Sequence, residues 1–386
     1  MNTQKINSGV RGLVKPPGDV RLKLSLVLML LLFAAPIIAE DHPYARADRV
    51  EAKIQTEIQR QEIVGLAAVV IDDGKIAWTK GYGFADREKK VPVYPAVTQF
   101  RWASISKPIT AVAAFQLSEK GLLDLDADVR TYVPEFPDHG VKITARDLLR
   151  HQGGIVHSAK KGIERTEQSY STPHPFADVV VSLDKFKDSP LVNTPGTTYF
   201  YSTAGYVLLS AVVQRAGKER FADQVSERIA KPLGMADFRP DYQWEDIPHR
   251  AVGYSRDGGT IHRRPDNQVD DVSWKLGGGG FTSPATDLAR FGVGLLQRKL
   301  VSEKTERMMW TVNKPAHPDK PDPYGFGFFI VHMPDGRTLV GHDGSQQKAK
   351  TALLLDPKAK KGIALMTGSE WVDVMKLAMT LMDEIR

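Results

Sequence analysis

Ser104-Ile-Ser-Lys107 places a lysine three residues after a serine. A serine hydroxyl is a poor nucleophile until a neighbouring base takes its proton. At helical spacing the two side chains share a face, so the amine reaches the hydroxyl. Burial and positive neighbours lower a lysine pKa and leave a neutral amine that accepts the proton. The same tetrapeptide pattern begins at Ser158, Ser182 and Ser345, so the pattern alone selects nothing. Context separates the four. Ser158 and Ser182 lie in polar segments where the lysine reads as solvated, and Ser345 precedes a strand. Ser104 opens a long apolar helix, with Pro108 close enough to its start to be tolerated.

Two further clusters carry chemistry. In Tyr201-Ser-Thr203 a tyrosine polarised by a nearby ammonium can relay protons. Tyr170-Ser-Thr172 repeats the tripeptide, but Tyr201 follows Thr194-Pro-Gly196 and precedes an apolar helix that would anchor it. In His342-Asp-Gly344, read as the end of a strand, Gly344 would let substrate approach the backbone. The Ser345 amide would pair with the Ser104 amide as an oxyanion hole. His342 would hydrogen-bond a substrate carboxylate or carbonyl. The candidate catalytic residues are thus Ser104, Lys107 and Tyr201. Thr203, His342, Gly344 and Ser345 are the candidates for substrate binding.

These residues need elements to hold them. Val50, Ile54 and Ile58 mark one face of a helix over Ala45 to Gln61. Asp73-Gly74 between two β-prone runs, Leu66 to Ile71 and Lys75 to Thr79, predicts a hairpin. Arg337 to Gly341, Thr351 to Leu355 and Gly362 to Met366 read as strands, followed by a helix from about Trp371 to Ile385. Between these ends lie helices at Pro108 to Lys120, Thr144 to His151, Ala204 to Ala216 (stopping at Gly217) and Pro284 to Gln297. The fold class expected is α+β: one antiparallel sheet built from N- and C-terminal strands and flanked by helices. An α/β lobe (about 45–105 and 275–386) would receive an inserted, mostly helical lobe (about 106–274). Lys160 to Pro175 and Asn313 to Pro323 read as surface loops.

Composition excludes other chemistries. The chain has no cysteine, which removes disulfides, thiolate nucleophiles and cysteine metal sites. No H-E-x-x-H occurs, and His151 and His157 have no acidic residue between them, so no metal or other cofactor is expected. Gly277 to Gly280 lacks the Lys-Ser/Thr of a phosphate loop and is read as backbone passing close to the cleft. The first 39 residues carry a net +4 of the chain's +6, so the basic pI belongs largely to the leader and nucleic acid is not an expected partner. That leader is a basic flank before an apolar run, Leu24 to Ala39, too short for an ordinary spanning helix. It reads as a signal peptide cleaved near Ala39 and implies export, to the periplasm or the extracellular space. Left uncleaved, it would anchor the chain in a membrane.

Order, spacing and surroundings of these motifs resemble the penicillin-binding serine hydrolases: class C β-lactamases, DD-carboxypeptidases of the same fold, and related esterases and aminopeptidases. The resemblance runs through Phe100-Arg-Trp-Ala-Ser-Ile-Ser-Lys-Pro-Ile-Thr110, Asp147-Leu-Leu-Arg-His-Gln-Gly-Gly-Ile155 and Pro195-Gly-Thr-Thr-Tyr-Phe-Tyr-Ser-Thr-Ala-Gly-Tyr-Val-Leu-Leu209. It continues in Lys231-Pro-Leu-Gly-Met235, Gly278 to Ala289 and Gly341-His-Asp-Gly344, and covers about residues 45–386. It implies a β-lactamase/transpeptidase-like fold, an acylated Ser104, proton transfer shared by Lys107 and Tyr201, and substrate along the His342 strand.

Two departures weaken the β-lactamase reading. Thr203 stands where the family has asparagine, without an NH2 donor. His342 stands where efficient β-lactamases have lysine, without a permanent charge. Ser-Ile-Ser-Lys with Tyr-Ser-Thr is also similar to the mitochondrial serine β-lactamase-like proteins. The expected activity is therefore hydrolysis of a small-molecule or peptide substrate at amide bonds through an acyl-serine. A carboxylesterase on the same scaffold is the alternative, and a non-catalytic scaffold or sensor the third reading.

Overall fold

Side-chain alternation along the central strands decides where the core lies. The computed structural model describes residues 44–158, 175–242, 244–265, 271–312 and 324–386. The expected leader, the loop at 313–323 and nearly all of the one at 160–175 lie outside the described residues, as do Lys161 and Tyr170. The strands, in chain order, are β1 (Gly65–Asp72), β2 (Lys75–Asp86), β3 (Val91–Pro92), β4 (Phe100–Arg101), β5 (Arg239–Pro240), β6 (Tyr254–Asp257) and β7 (Thr260–Arg263). Then come β8 (Phe281–Ser283), β9 (Phe329–His332), β10 (Thr338–Gln346), β11 (Ala349–Asp356) and β12 (Lys361–Thr367). One sheet of seven strands has the order β3-β2-β1-β12-β11-β10-β9, with every pairing antiparallel.

Both faces of this sheet are covered. On β1, Leu66, Ala68 and Val70 join one apolar cluster while Ala67, Val69 and Ile71 join another. β12 divides likewise, Ile363 and Leu365 against Ala364 and Met366. The outer cluster is closed by the helices Ala47–Gln61 and Val374–Glu384, through Val50, Ile54, Leu377 and Leu381. The inner cluster is closed by the helix Ala285–Leu296, through Leu288, Phe291 and Leu295. That inner cluster continues without a break through the helices Ser106–Glu119 and Thr203–Gly217. The segment 106–274 thus shares its core with the sheet, and Tyr44–Arg386 forms one compact unit.

Local signals explain most element ends. Asp73 and Gly74 both take positive φ (47° and 68°), as a two-residue hairpin turn requires. Thr144 caps the short helix Ala145–Leu149 in a reciprocal capping box with Asp147. One expectation agrees in place and one is corrected. The Thr203–Gly217 helix stops at Gly217, and its cap is Lys218 in the left-handed region (φ 58°). A Cβ on Gly217 would stand 2.1 Å from the Gln224 side chain, so that glycine serves close packing. The His342 strand does not end at Gly341: β10 continues to Gln346, because Ala349–Asp356 folds back as its partner from Val340 to Gln346.

Candidate active site

The turn carrying Ser104 is pinned on three sides. The Trp102 amide donates to Phe281 O at 2.8 Å, and its indole N–H donates to Ser283 Oγ at 2.7 Å. Its carbonyl accepts from Thr351 Oγ1 at 2.9 Å. Ala103 then takes φ 48°, a left-handed conformation that costs a non-glycine residue energy and persists only where its surroundings impose it. Ser104 follows in a single 3-10 turn, Ala103–Ile105, that leads into the helix Ser106–Glu119. Gly344 of β10 packs on this turn: a Cβ there would lie 2.4 Å from Trp102 O and 3.0 Å from Ala103 Cβ. Gly344 is therefore required by the turn, and it is not among the residues lining the cleft.

Lys107 is fully buried, and its amine is surrounded by acceptors. Nζ lies 2.9 Å from Ser104 Oγ, 2.8 Å from Gly278 O and 3.4 Å from Thr203 Oγ1. It also lies 4.8 Å from the centre of the Tyr201 ring. Burial first, then the nearby Lys275 charge, holds its pKa well below that of an ordinary lysine, with Asp343 opposing. A neutral amine here donates its two N–H groups to Gly278 O and Thr203 Oγ1, leaving its lone pair for the Ser104 proton. Glycines bring that carbonyl in: a Cβ on Gly278 would stand 2.8 Å from Thr203 Cγ2, and one on Gly277 2.5 Å from Ser210 Cβ.

The Tyr201-Ser202-Thr203 segment is clamped by its backbone and its middle residue. Tyr201 O meets His157 Nδ1 at 3.0 Å, and the Ser202 amide donates to His151 Nδ1 at 3.0 Å. Ser202 Oγ donates to Val156 O and accepts from the Gly205 amide, both at 2.7 Å, capping the helix Thr203–Gly217. The Tyr201 hydroxyl hydrogen-bonds Ser104, which lowers its pKa, but burial is the larger effect and raises it. Tyr201 thus stays a protonated phenol. Its ring lies 4.3 Å from that of His151, which is wholly buried among Tyr199, Tyr201, Tyr206 and Tyr324.

His342 lies on β10 beside Tyr201, but it is covered rather than open to a ligand. The ring is only 1% exposed, its Nε2 faces Tyr324 Oη at 3.2 Å, and its Nδ1 faces Asp343 O at 2.5 Å. Burial is the main cause that pushes its pKa down to about 3, so the imidazole is neutral. Both nitrogens are engaged and the ring lies 6.2 Å from that of Tyr201, covered by Tyr324 and Phe329, so it does not line the cleft. Asp343, Ser345 and Gln346, farther along β10, are among those that line the cleft. Beyond Gly341 no strand pairs with the outer edge of β10 among the described residues, since β9 begins opposite it at Phe329. Ser345 Oγ accepts from Lys350 Nζ at 2.7 Å.

The cleft has a volume of about 490 Å3. It is lined by Ser104, Tyr201, Thr203 and Ser345 together with Asp343, Lys275, Trp274 and His157. The last four were missed in the sequence. His157 lies just beyond the Asp147-to-Ile155 segment, and Asp343 lies inside the His342 motif, so both were within sight. Lys275 and Trp274 gave no signal except their place before the glycine run. A larger cavity of about 660 Å3 lies at the start of β10 and contains none of these residues. One rejected tetrapeptide needs correcting: Ser182 and Lys185 are buried rather than solvated, with Lys185 Nζ 5.2 Å over the Phe176 ring. Neither lines the cleft. Among the described residues no cluster of His, Asp and Glu could hold a metal ion.

The buried histidine has a consequence for stability. An unfolded chain protonates His342 near pH 6.5, and the folded one only near 3. Between these values the unfolded state binds more protons, so stability rises with pH through that window and is fully present above it. Thermal unfolding at pH 5 and pH 7.5 is expected to show a lower Tm at pH 5. His342→Gln should shrink that difference, and an unchanged difference would contradict the neutral assignment.

Comparison with known proteins follows the same line. The Beta-lactamase family model matches residues 50–372. The mitochondrial serine beta-lactamase-like protein LACTB of Homo sapiens is 30% identical over 384 residues, spanning 76% of this chain and 69% of that protein. The putative penicillin-binding protein PbpX of Bacillus subtilis (strain 168) is 30% identical over 299 residues, spanning 74% of this chain and 69% of its own. Among solved structures, the octameric penicillin-binding protein homologue from Pyrococcus abyssi superposes with a TM-score of 0.73 at 25% identity, covering 88% of this chain and 77% of that one.

Proposed function

This chain belongs to the beta-lactamase family of serine hydrolases, and on that premise we propose that it cleaves amide and peptide bonds through an acyl-Ser104 intermediate. The observation that carries the reading is the 2.9 Å contact between Ser104 Oγ and the amine of a fully buried lysine. Ser104 Oγ attacks the substrate carbonyl as its proton passes to Lys107 Nζ. The amides of Ser104 and Ser345 are the proposed donors to the oxyanion, supported by the outer edge of β10, unpaired beyond Gly341 among the described residues, beside the Ser104 turn. Collapse of the tetrahedral intermediate expels the amine, which takes a proton from the Tyr201 phenol; the Lys107 ammonium returns one to Tyr201. Water then attacks the ester, its proton passes to Lys107, and Ser104 leaves with a proton as the acid is released.

Lys107 is assigned as the base and Tyr201 as the relay because their pKa shifts run in opposite senses. Burial favours the neutral amine and disfavours the phenolate. Tyr201→Phe keeps the ring packing and removes only the relay. It is expected to lower kcat on amides by roughly 10² to 10⁴-fold, and less on activated esters, whose leaving group needs no proton. Equal losses on both substrates would remove Tyr201 from the relay.

A carboxylesterase is the second reading, favoured by a neutral, buried His342 and by Thr203, which offers no NH2 donor. The chain incubated with a fluorescent fluorophosphonate or penicillin should carry the adduct on the peptide containing Ser104, read by mass spectrometry. An adduct elsewhere, or none, defeats the assignment. Parallel turnover of p-nitrophenyl esters and D-Ala-D-Ala peptides then separates esterase from peptidase. Stoichiometric labelling with no turnover of either would identify a sensor.

A further inference from the structure

Asp343 has no part in the steps above, yet it is a charged residue among those that line the cleft. Its side chain is 43% exposed and lines the same space as Ser104 and Tyr201. Among the described residues, the ionisable group within ion-pair distance is the His342 imidazole at 3.9 Å, which is neutral. Lys350, a cation on the neighbouring strand, is held by Ser345 Oγ at 2.7 Å. Lys275, the other charged residue of the cleft wall, has contacts of its own. The position is also close to the chemistry. Asp343 immediately precedes Gly344, which touches the Ser104 turn, and its charge is felt at both Lys107 and Tyr201. Most buried or half-buried carboxylates meet a cation inside the protein; this one is left to meet a cation from outside.

We infer that Asp343 selects substrates by charge: the cleft takes acyl donors bearing an ammonium or guanidinium beside the scissile carbonyl and disfavours acyl donors bearing a carboxylate there. The substrate class is then an amino acid amide, ester or peptide with a free amine or a basic side chain on its acyl part. The inference rests on the acyl-Ser104 reading, since it concerns the group that becomes attached to that serine. An ionised hydrogen-bond partner gained on one substrate and a repulsion added on the other make a difference of tenfold or more. Salt should shrink the difference, because the site is partly exposed.

The test uses the full chain and three fluorophosphonates that differ in one arm: a neutral alkyl, an ammonium-tipped and a carboxylate-tipped chain. Second-order rate constants for labelling of Ser104 are measured for each. The ammonium arm is expected to react at least about tenfold faster than the carboxylate arm. Asp343→Asn should bring that ratio close to one, and Asp343→Lys should invert it. The ratio is internal to each protein, so a partly folded variant does not distort it, and the wild-type ratio stands alone if neither variant folds. Equal rates for the three arms, or a ratio that survives Asp343→Asn, overturn charge selection and leave the Ser104 assignment intact. Labelling by no arm overturns both.

Discussion

Replacing Ser104 by alanine is expected to lower kcat/KM by roughly 10³ to 10⁶-fold, and replacing Lys107 by methionine by roughly 10² to 10⁴-fold. The double variant should be no worse than Ser104→Ala alone, because a base has nothing to act on once its nucleophile is gone. Additive losses would separate the two residues and with them the mechanism. Lys107→Arg is a sharper variant than methionine. It retains charge and length, but a guanidinium remains protonated and cannot accept the serine proton. It should be as inactive as methionine, whereas a lysine that merely attracted an anionic substrate would be rescued by arginine.

The same residue sets the pH dependence. Its neutral form is the active one, and burial with the Lys275 charge depresses its pKa. Activity is therefore retained well below the pH at which an ordinary lysine is neutral, and it is lost as pH falls through the depressed value. Lys275→Gln removes one of the two depressing influences. The acid limb of kcat/KM should then move to higher pH, toward the range of a free lysine. A shift to lower pH would show that the limb belongs to another group.

How much of this could be read beforehand depended on whether the cause was local. The Ser104–Lys107 pair was legible because helical spacing and an apolar run are both sequence patterns, and the contact at 2.9 Å follows from them. The Asp73-Gly74 hairpin was legible because its backbone demands are met by few residue types. The exposure of His342 was misjudged because what covers it is distant in sequence. The strand in fact runs to Gln346, and His342 lies beside Tyr201 but under Tyr324 and Phe329. The contact that brings those two rings over it is tertiary and has no local signal. The burial of Ser182 and Lys185 was missed because polar composition was taken for exposure, while the packing of Phe176 over Lys185 is a tertiary event. The Gly278 carbonyl was invisible in kind, since backbone acceptors leave no trace in residue type; only the glycines that admit it did.

The least legible part of the site is also where the largest stability effect is expected. Asp241 is wholly buried and lies 140 positions from Arg101, whose Nε donates to Asp241 Oδ2 at 2.6 Å. The Arg250 guanidinium closes on the other carboxylate oxygen. Arg101 is itself 5% exposed and also donates to Gln347 O at 3.3 Å, in the turn between β10 and β11. One carboxylate thus ties β4, from which the Ser104 turn departs, to the end of the strand that carries Asp343 and Ser345. Asp241→Ala would leave a buried guanidinium without its counter-charge, a loss of about 3–5 kcal/mol, equivalent to a Tm lower by roughly 5–15 °C. Because the released Arg101 adjoins Trp102 and Ala103, residual folded protein should also label Ser104 more slowly, with the defect largest where geometry matters most, on amides. Asp241→Asn keeps the volume and loses the charge, and should fall between. An Ala variant as stable as the wild type would mean that solvent or other groups already compensate Arg101, and that the tie between β4 and β10 is carried by backbone contacts alone.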